Sequence, residues 1–300
     1  MNNNTSTPTD AITKIENQRL NFVQTIGTIK LILIPIAVFI LYSLLNKSGF
    51  MVLFTLIASF IIFFVILTSK HNNFCKNFKT NLTPAIVREV YPDCEYKPFE
   101  FIDKSIFDQS MFFSRDHNRY SGEDLIAFRD FGNLHLSELS ASKEETTSDM
   151  DGKTRTTTTN YFKGLFGWAS FPFVFSGTTV LYDKKCFYRN YSNDKNAQRV
   201  KLESPRFMEI FDVYSDDQIG SRLALQTDIM NNLLYLKEKI KSEINFSFIG
   251  NKIYFAIVYD NFLEPNWKLS VIDQVQNAKI KSDLQLIKHT IDTFKLYQNN

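Results

Sequence analysis

The stretch FDVYSDDQIGSRLALQ at residues 211–226 places the side chains of an acid–base site next to one another. Asp216 and Asp217 could divide acid and base roles if their surroundings separated their pKa values, and Arg222 could hold an anionic substrate. Tyr214 and Gln218 add hydrogen-bonding groups on either side. Geometry weakens this reading. Neighbouring residues point to opposite faces of a strand and lie about 100° apart on a helix, so the two carboxylates are poorly placed to share one substrate atom. The structural alternative is a helix start after the β-like FDVY run. Ser215 or Asp216 would cap the turn, and Asp217 would take backbone N–H groups or pair with Arg222. No nucleophile elbow, glycine-rich phosphate cradle or HExxH accompanies the aspartates. The GKT at 152–154 fails as a phosphate loop because Thr147 stands where the first glycine is required. His117, between Asp116 and Arg119, could be an oriented general base, but a lone histidine in SRDHNRYSGED reads as a solvated loop residue.

The strongest pattern lies elsewhere. Between residues 26 and 68, IGTIKLILIPIAVFILYSLL and FMVLFTLIASFIIFFVILT flank NKSG. Each run of about 20 residues suffices for a ~30 Å hydrocarbon core at ~1.5 Å per residue. Lys14, Arg19 and Lys30 precede or begin the first run, and Lys70, Lys76, Lys79 and Arg88 follow the second. Only Lys47 occupies the connection, so the positive-inside rule predicts that both termini are cytoplasmic. The acid-free stretch from Lys70 to Arg88 reads either as this topology signal or as an anionic-lipid contact through Lys70, Lys76 and Lys79.

The rest of the composition narrows the class. The 300 residues carry 29 Phe and a net charge of +2, which supports a sizeable core and argues against a nucleic-acid partner. Cys75, Cys94 and Cys186 are widely spaced, as are the four histidines, so no metal or cofactor is expected.

Local patterns predict the elements of the soluble part. Thr83-Pro84 opens a helix, Asp103 caps a second, SPRFMEIF forms a short third, and Thr227 caps TDIMNNLLYLKEKI. DLIAFRDF, NLHLSEL and the aromatic run Phe162, Phe166, Trp168, Phe171, Phe173 and Phe175 read as strands. INFSFIGNKIYFAIVY is a hairpin turning at Gly250-Asn251. Ser282 and Gln285 form a capping box for the last helix. The polar segment 140–160 is either an extended hairpin tip or a flexible loop.

The motif FxVYSxDQxxxR, followed by an amphipathic helix and the FSFIGNKIYFAI-type hairpin, resembles a bacterial family of two-helix membrane proteins carrying a domain of unknown function. That family reads VYSxDQxEAR here. The resemblance extends to the hydrophobic pair, Gly122–Asp124, the SEL around Glu138, FKGLF at 162–166, the Gly177 strand and residues 201–260. It implies no established activity, and it implies a LemA-like membrane protein as partner. This chain has Gly220-Ser221 where the family has Glu-Ala, so a catalytic glutamate at that point is ruled out here.

The sequence therefore predicts a membrane-anchored α+β protein of the bacterial inner membrane, multi-pass. A polar tail (1–25) and a transmembrane hairpin (26–69) precede a mainly antiparallel cytosolic domain (70–300) with packed helices and a flexible polar loop at 140–160. The expected role is an interaction or scaffold module that binds through Tyr214, Asp217, Gln218 and Arg222. The alternative is a membrane-associated hydrolase or small-anion sensor using Glu138, Asp217 and Arg222. That alternative requires the three residues to converge.

Overall fold

The computed structural model describes residues 8–45, 49–128, 132–149, 153–171, 174–271 and 273–295. The first expected tail residues and Phe173 lie outside them. The chain divides into two compact units, Met1–Ile86 with Leu263–Lys281, and Val87–Phe262 with Ser282–Asn300. In chain order the helices are α1 (Pro8–Leu45), α2 (Gly49–Asn81), α3 (Thr83–Val90), α4 (Lys104–Gln109), α5 (Pro205–Ile210), α6 (Gln218–Ala224), α7 (Thr227–Ile240) and α8 (Gln274–Lys295). The strands are β1 (Cys94–Lys97), β2 (Arg119–Phe128), β3 (His135–Ser148), β4 (Thr154–Ser170), β5 (Thr178–Asp183), β6 (Gln198–Val200), β7 (Phe211–Ser215), β8 (Ile244–Ile249) and β9 (Lys252–Val258).

In the first unit, residues 8–25, expected as a polar tail, continue the helix that carries the apolar run. The polar ends of α1 and α2 meet, with Asn77 donating to Gln18 at 3.1 Å and Lys70 to Thr25 at 2.7 Å. The segment after Leu263 closes over them. Phe22 sits edge-on to Trp267 at 5.3 Å, and the Val271 N–H donates to Glu16 at 2.9 Å. Lys79 lies in this sealed end, 2% exposed and 2.5 Å from the Glu264 carboxylate. It therefore does not face lipid, whereas Lys76 is exposed. Beyond this end α2 is bare. Phe60, Ile61, Ile62, Phe64, Val65 and Ile66 are 45–66% exposed, and consecutive positions on a helix cover every face. Among the described side chains from Ile57 to Leu67, Ala58, Ser59, Phe63 and Leu67 are half-covered. Among the described residues one helical stretch, Ile57–Val90, is long and apolar enough to cross a membrane.

The second unit is built on a nine-stranded sheet in the order β1-β2-β3-β4-β9-β8-β5-β7-β6, with every pairing antiparallel. This is the α+β architecture the sequence predicts. Alternation assigns the faces. One carries Phe166, Tyr182 and Tyr254 under α4 and the 110–117 loop, where Phe107 packs edge-to-face with Phe166 at 5.0 Å. The other carries Leu181, Phe246 and Phe255, with Phe207 of α5 reaching Phe211 at 5.0 Å. Fully burying one such side chain stabilises by ~1.5–3 kcal/mol. The turn at Gly250 has φ +60, the left-handed geometry that the Gly-Asn pair implies. Gly164 is dictated by packing: a Cβ there would overlap the Ile257 carbonyl oxygen of β9.

Three local expectations change. Segment 140–160 is strand through Ser148 and again from Thr154, because a fourteen-pair β3–β4 register carries the ribbon past the sheet. Residues 150–152 lie outside the described residues. Helix α8 begins at Gln274, eight residues before Ser282, so Ser282 is interior to the helix and caps nothing. QVQNAKIK contains no breaker, and helix formers extend the run backwards. The cap of α7 is Gln226, and Thr227 is its first residue.

Asp183, at the end of β5 and 2% exposed, is paired with the Lys237 ammonium of α7. Removing one partner of such a buried pair costs ~3–5 kcal/mol. Lys237→Met is expected to lower the Tm of the full chain in detergent by roughly 10 °C, read by differential scanning fluorimetry.

Candidate functional site

The VYSDDQIGSR segment spans the end of β7 and the start of α6, and both of its carboxylates are occupied by the fold. Asp217 is the N-cap of α6: it accepts from Ile219 N–H and Gly220 N–H at 3.0 Å each and from the Ser176 hydroxyl at 2.6 Å. The Ser176 hydroxyl, then the Gly220 and Ile219 amides, hold its carboxyl below the usual range. Asp216 accepts the Thr178 N–H at 2.6 Å. The two aspartates thus clamp the 176–178 turn at its two ends, Asp217 at Ser176 and Asp216 at Thr178. Two glycines make room. At Gly177, φ is +66 and a Cβ would strike Asp216; at Gly220 it would press on the Ser176 carbonyl at 2.7 Å.

The remaining candidates in this segment are dispersed. Tyr214 is half-buried, its ring edge-on to Tyr182 at 6.2 Å. Gln218 accepts from the Ser221 hydroxyl through its backbone carbonyl. Arg222 is exposed and reaches only the Lys201 carbonyl, at 3.4 Å, and no ion pair joins it to Asp217 among the described residues. What α6 presents outward is apolar: Ile219 is 73% and Leu223 66% exposed.

Glu138 is elsewhere. It lies on β3, five strands from β7 in the sheet order. At ~4.8 Å per strand that is ~24 Å across the sheet from Tyr214. Glu138, Asp217 and Arg222 therefore do not converge on one site, and the shared-site arrangement the sequence suggested does not form. The reason is topological: β5 and the β8–β9 hairpin are inserted between β4 and β7.

Glu138 instead belongs to a carboxylate group that the sequence reading did not assemble. It is directly opposite Glu123 on β2. A register shift between Glu123 and Ile126 turns Asp124, at φ +60, into the same place. One oxygen from each of the three carboxylates lies within 4.8 Å of the others. Tyr96 donates to Asp124 at 2.5 Å, and the Phe262 N–H donates to Glu138 at 2.9 Å. An all-oxygen set of this kind suits a hard cation such as Ca²⁺ or Mg²⁺. Glu123 and Asp124 were visible in the GED motif, but the bulge that aims them is a property of the strand pairing.

His117 also departs from expectation. It is 3% exposed, with Nδ1 2.8 Å from the Ser114 carbonyl and Nε2 3.3 Å from the Asp108 carboxylate. It packs edge-on against Phe107 under the sheet and is not solvated.

Residues 160–296 match a family described as a protein of unknown function (DUF3137). No curated protein matches. Among solved structures, that of the mycobacterial trehalose monomycolate transport factor A, TtfA, aligns with 70% of this chain and 91% of its own at 9% identity and a TM-score of 0.38. That likeness is too slight to transfer fold or function.

A carboxylate with a depressed folded pKa contributes stability that is present above its unfolded pKa, ~4, and lost as pH falls through the folded value. Asp217→Asn keeps the cap acceptor and loses the charge. Below about pH 4 its Tm is expected to fall less steeply than that of the wild type, while at pH 7 it melts a few degrees lower. Arg222→Gln is expected to melt at the wild-type temperature, since its single contact is long and exposed. Thermal melts from pH 3 to 7 decide both.

Proposed function

We propose that the protein is a membrane-tethered interaction module of the bacterial inner membrane. α1 and α2 form a two-pass anchor with both termini in the cytoplasm, and the sheet unit is the cytosolic binding domain. The observation that carries this reading is the apolar surface of α2, where Phe54, Ile57, Phe60, Ile61, Ile62, Phe64, Val65 and Ile66 are all exposed. In water such a surface is a large liability, and in hydrocarbon it is the ordinary exterior of a helix. The lysine and arginine placement supports the orientation. Lys70 and Lys76 sit at the cytoplasmic boundary, where each basic side chain contributes ~1 kcal/mol towards an anionic leaflet.

The binding role of the Tyr214–Arg222 segment rests on what is left exposed. Asp216 and Asp217 are committed to the backbone, so they shape the segment and leave contact to α6 through Gln218, Ile219, Arg222 and Leu223. A short helix offering an apolar pair beside one arginine has the composition of an interface centre. The LemA-like membrane protein implied by the family resemblance is the first partner to test.

Two measurements check this. Alkaline carbonate is expected to leave the full chain in the membrane pellet, and a membrane-impermeant maleimide is expected to label Lys47→Cys, but not Gln298→Cys, from outside intact spheroplasts lacking the native cysteines. Carbonate release of the chain, or labelling of the C-terminal site, would sink the anchor. Ile219→Asp with Leu223→Asp is expected to leave Tm unchanged while reducing co-purification with the LemA-like protein at least tenfold. Unchanged recovery would remove α6 from the interface.

A further inference from the structure

The β3–β4 ribbon extends past its neighbours on both sides. The last β2 partner is Arg119, opposite Ser142, and the last β9 partner is Val258, opposite Gly164. Beyond those points each strand has one outer edge, and the two edges differ. On β3 the edge is capped at Glu144, next to the end of β2. The Asn118 side chain donates to the Glu144 carbonyl and accepts its N–H, both at 2.8 Å, replacing the bonds a further strand would make. Arg119 pairs with Glu144, and Lys143 pairs with Asp116 and Glu145, so charges surround it. These are the devices that block strand addition.

On β4 the edge is open. Residues 154–160 read Thr-Arg-Thr-Thr-Thr-Thr-Asn, and among the described residues no backbone or side-chain group bonds to that outer edge. Threonine favours the extended backbone, and the run contains no proline and one charge. The cap and ion pairs at residues 143–145 disfavour strand addition there, and the β4 run carries no comparable feature among the described residues.

We propose that this β4 edge pairs antiparallel with the same edge of a second copy of the chain, joining two ribbons into a four-stranded sheet. The run specifies its own partner. A twofold axis at Thr157 sets Thr157 opposite itself, Thr156 opposite Thr158, Arg155 opposite Thr159 and Thr154 opposite Asn160. No like charges meet, and threonine pairs directly opposite one another are favourable. A single surface that is complementary to itself gives a closed dimer and cannot propagate into a fibre. The β3 edges, capped at Glu144 and flanked by charges, remain outermost in the four-stranded sheet.

Thiol crosslinking of the full chain in its membranes, with Cys75, Cys94 and Cys186 replaced by serine, tests this. Directly opposed residues on paired strands have Cβ atoms about 4.5–5.5 Å apart, within reach of a short bismaleimide. Thr157→Cys is expected to give a crosslinked dimer. Glu145→Cys, separated from its copy by three strand spacings or ~14 Å, is expected to give none. Thr156→Lys with Thr158→Lys adds two symmetry-related like-charge pairs, and the Thr157→Cys crosslink should fall about tenfold. Thr156→Lys with Thr158→Glu makes the same pairs complementary and should restore the crosslink, which also shows that charged substitutions leave the ribbon folded. Equal crosslinking from both cysteine positions, no dimer from Thr157→Cys, or a crosslink to a chain of another mass would overturn the proposal.

Discussion

A carboxylate buried where β5 ends constrains the whole sheet unit. Asp183 is held by the Lys237 ammonium from α7 and by the backbone amides of Lys185 and Ile244, and its own N–H donates to the Asn245 side chain. A charge taken out of water costs several kcal/mol unless every lone pair finds a donor. Those donors exist only when β5 lies beside β8 and α7 crosses above them. Asp183 therefore couples the central strand pairing to the helix layer. One element further out the same device recurs, with Asp212 of β7 between Arg189 at 2.8 Å and Arg199 at 2.6 Å. Polar anchors of this kind give the greasy faces of the sheet one registry.

The opening at the other end of β5 is fixed by a complementary clamp. Asp216 and Asp217 grip the 176–178 turn, and Gly177 and Gly220 let the two segments approach. The aspartates resemble catalytic residues in sequence because both roles require the same chemistry, a carboxylate surrounded by donors. The difference lies in which donors. Here they are backbone amides and a serine hydroxyl of the same clamp, and no substrate atom could compete for them without undoing α6.

On the proposed reading, function lies on exposed apolar and backbone surfaces and not on buried polar groups. The bare run of α2, the Ile219–Leu223 face of α6 and the open β4 edge are surfaces whose free energy falls when something covers them. The first suits lipid, the second a protein contact, and the third another strand. The charged groups mark limits to these surfaces: Asn118 and Lys143 on the guarded ribbon edge, and Lys79 with Glu264 at the sealed end of α1 and α2.

What the sequence determined by itself is everything that depends on neighbours within a turn or a hairpin. The cap at Asp103, the short helix in SPRFMEIF, the Gly250-Asn251 turn, the apolar length of α2 and the strand at Phe162, Phe166 and Trp168 are local, and each could be assigned from a few adjacent residues. Phe171 and Phe175, expected in the same strand, lie beyond its end at Ser170. The tertiary structure alone decided which distant residues meet. Strand order set Glu138 five strands from Asp217 and beside Glu123 instead, because β5 pairs with β8 and β7 rather than with its chain neighbour β4. It also took His117 out of solvent and Lys79 away from the lipid contact expected of it. Sequence spacing records helical and strand periods, whereas the partner of a strand or of a buried charge is chosen among many non-local candidates by packing and desolvation, and those depend on the whole fold.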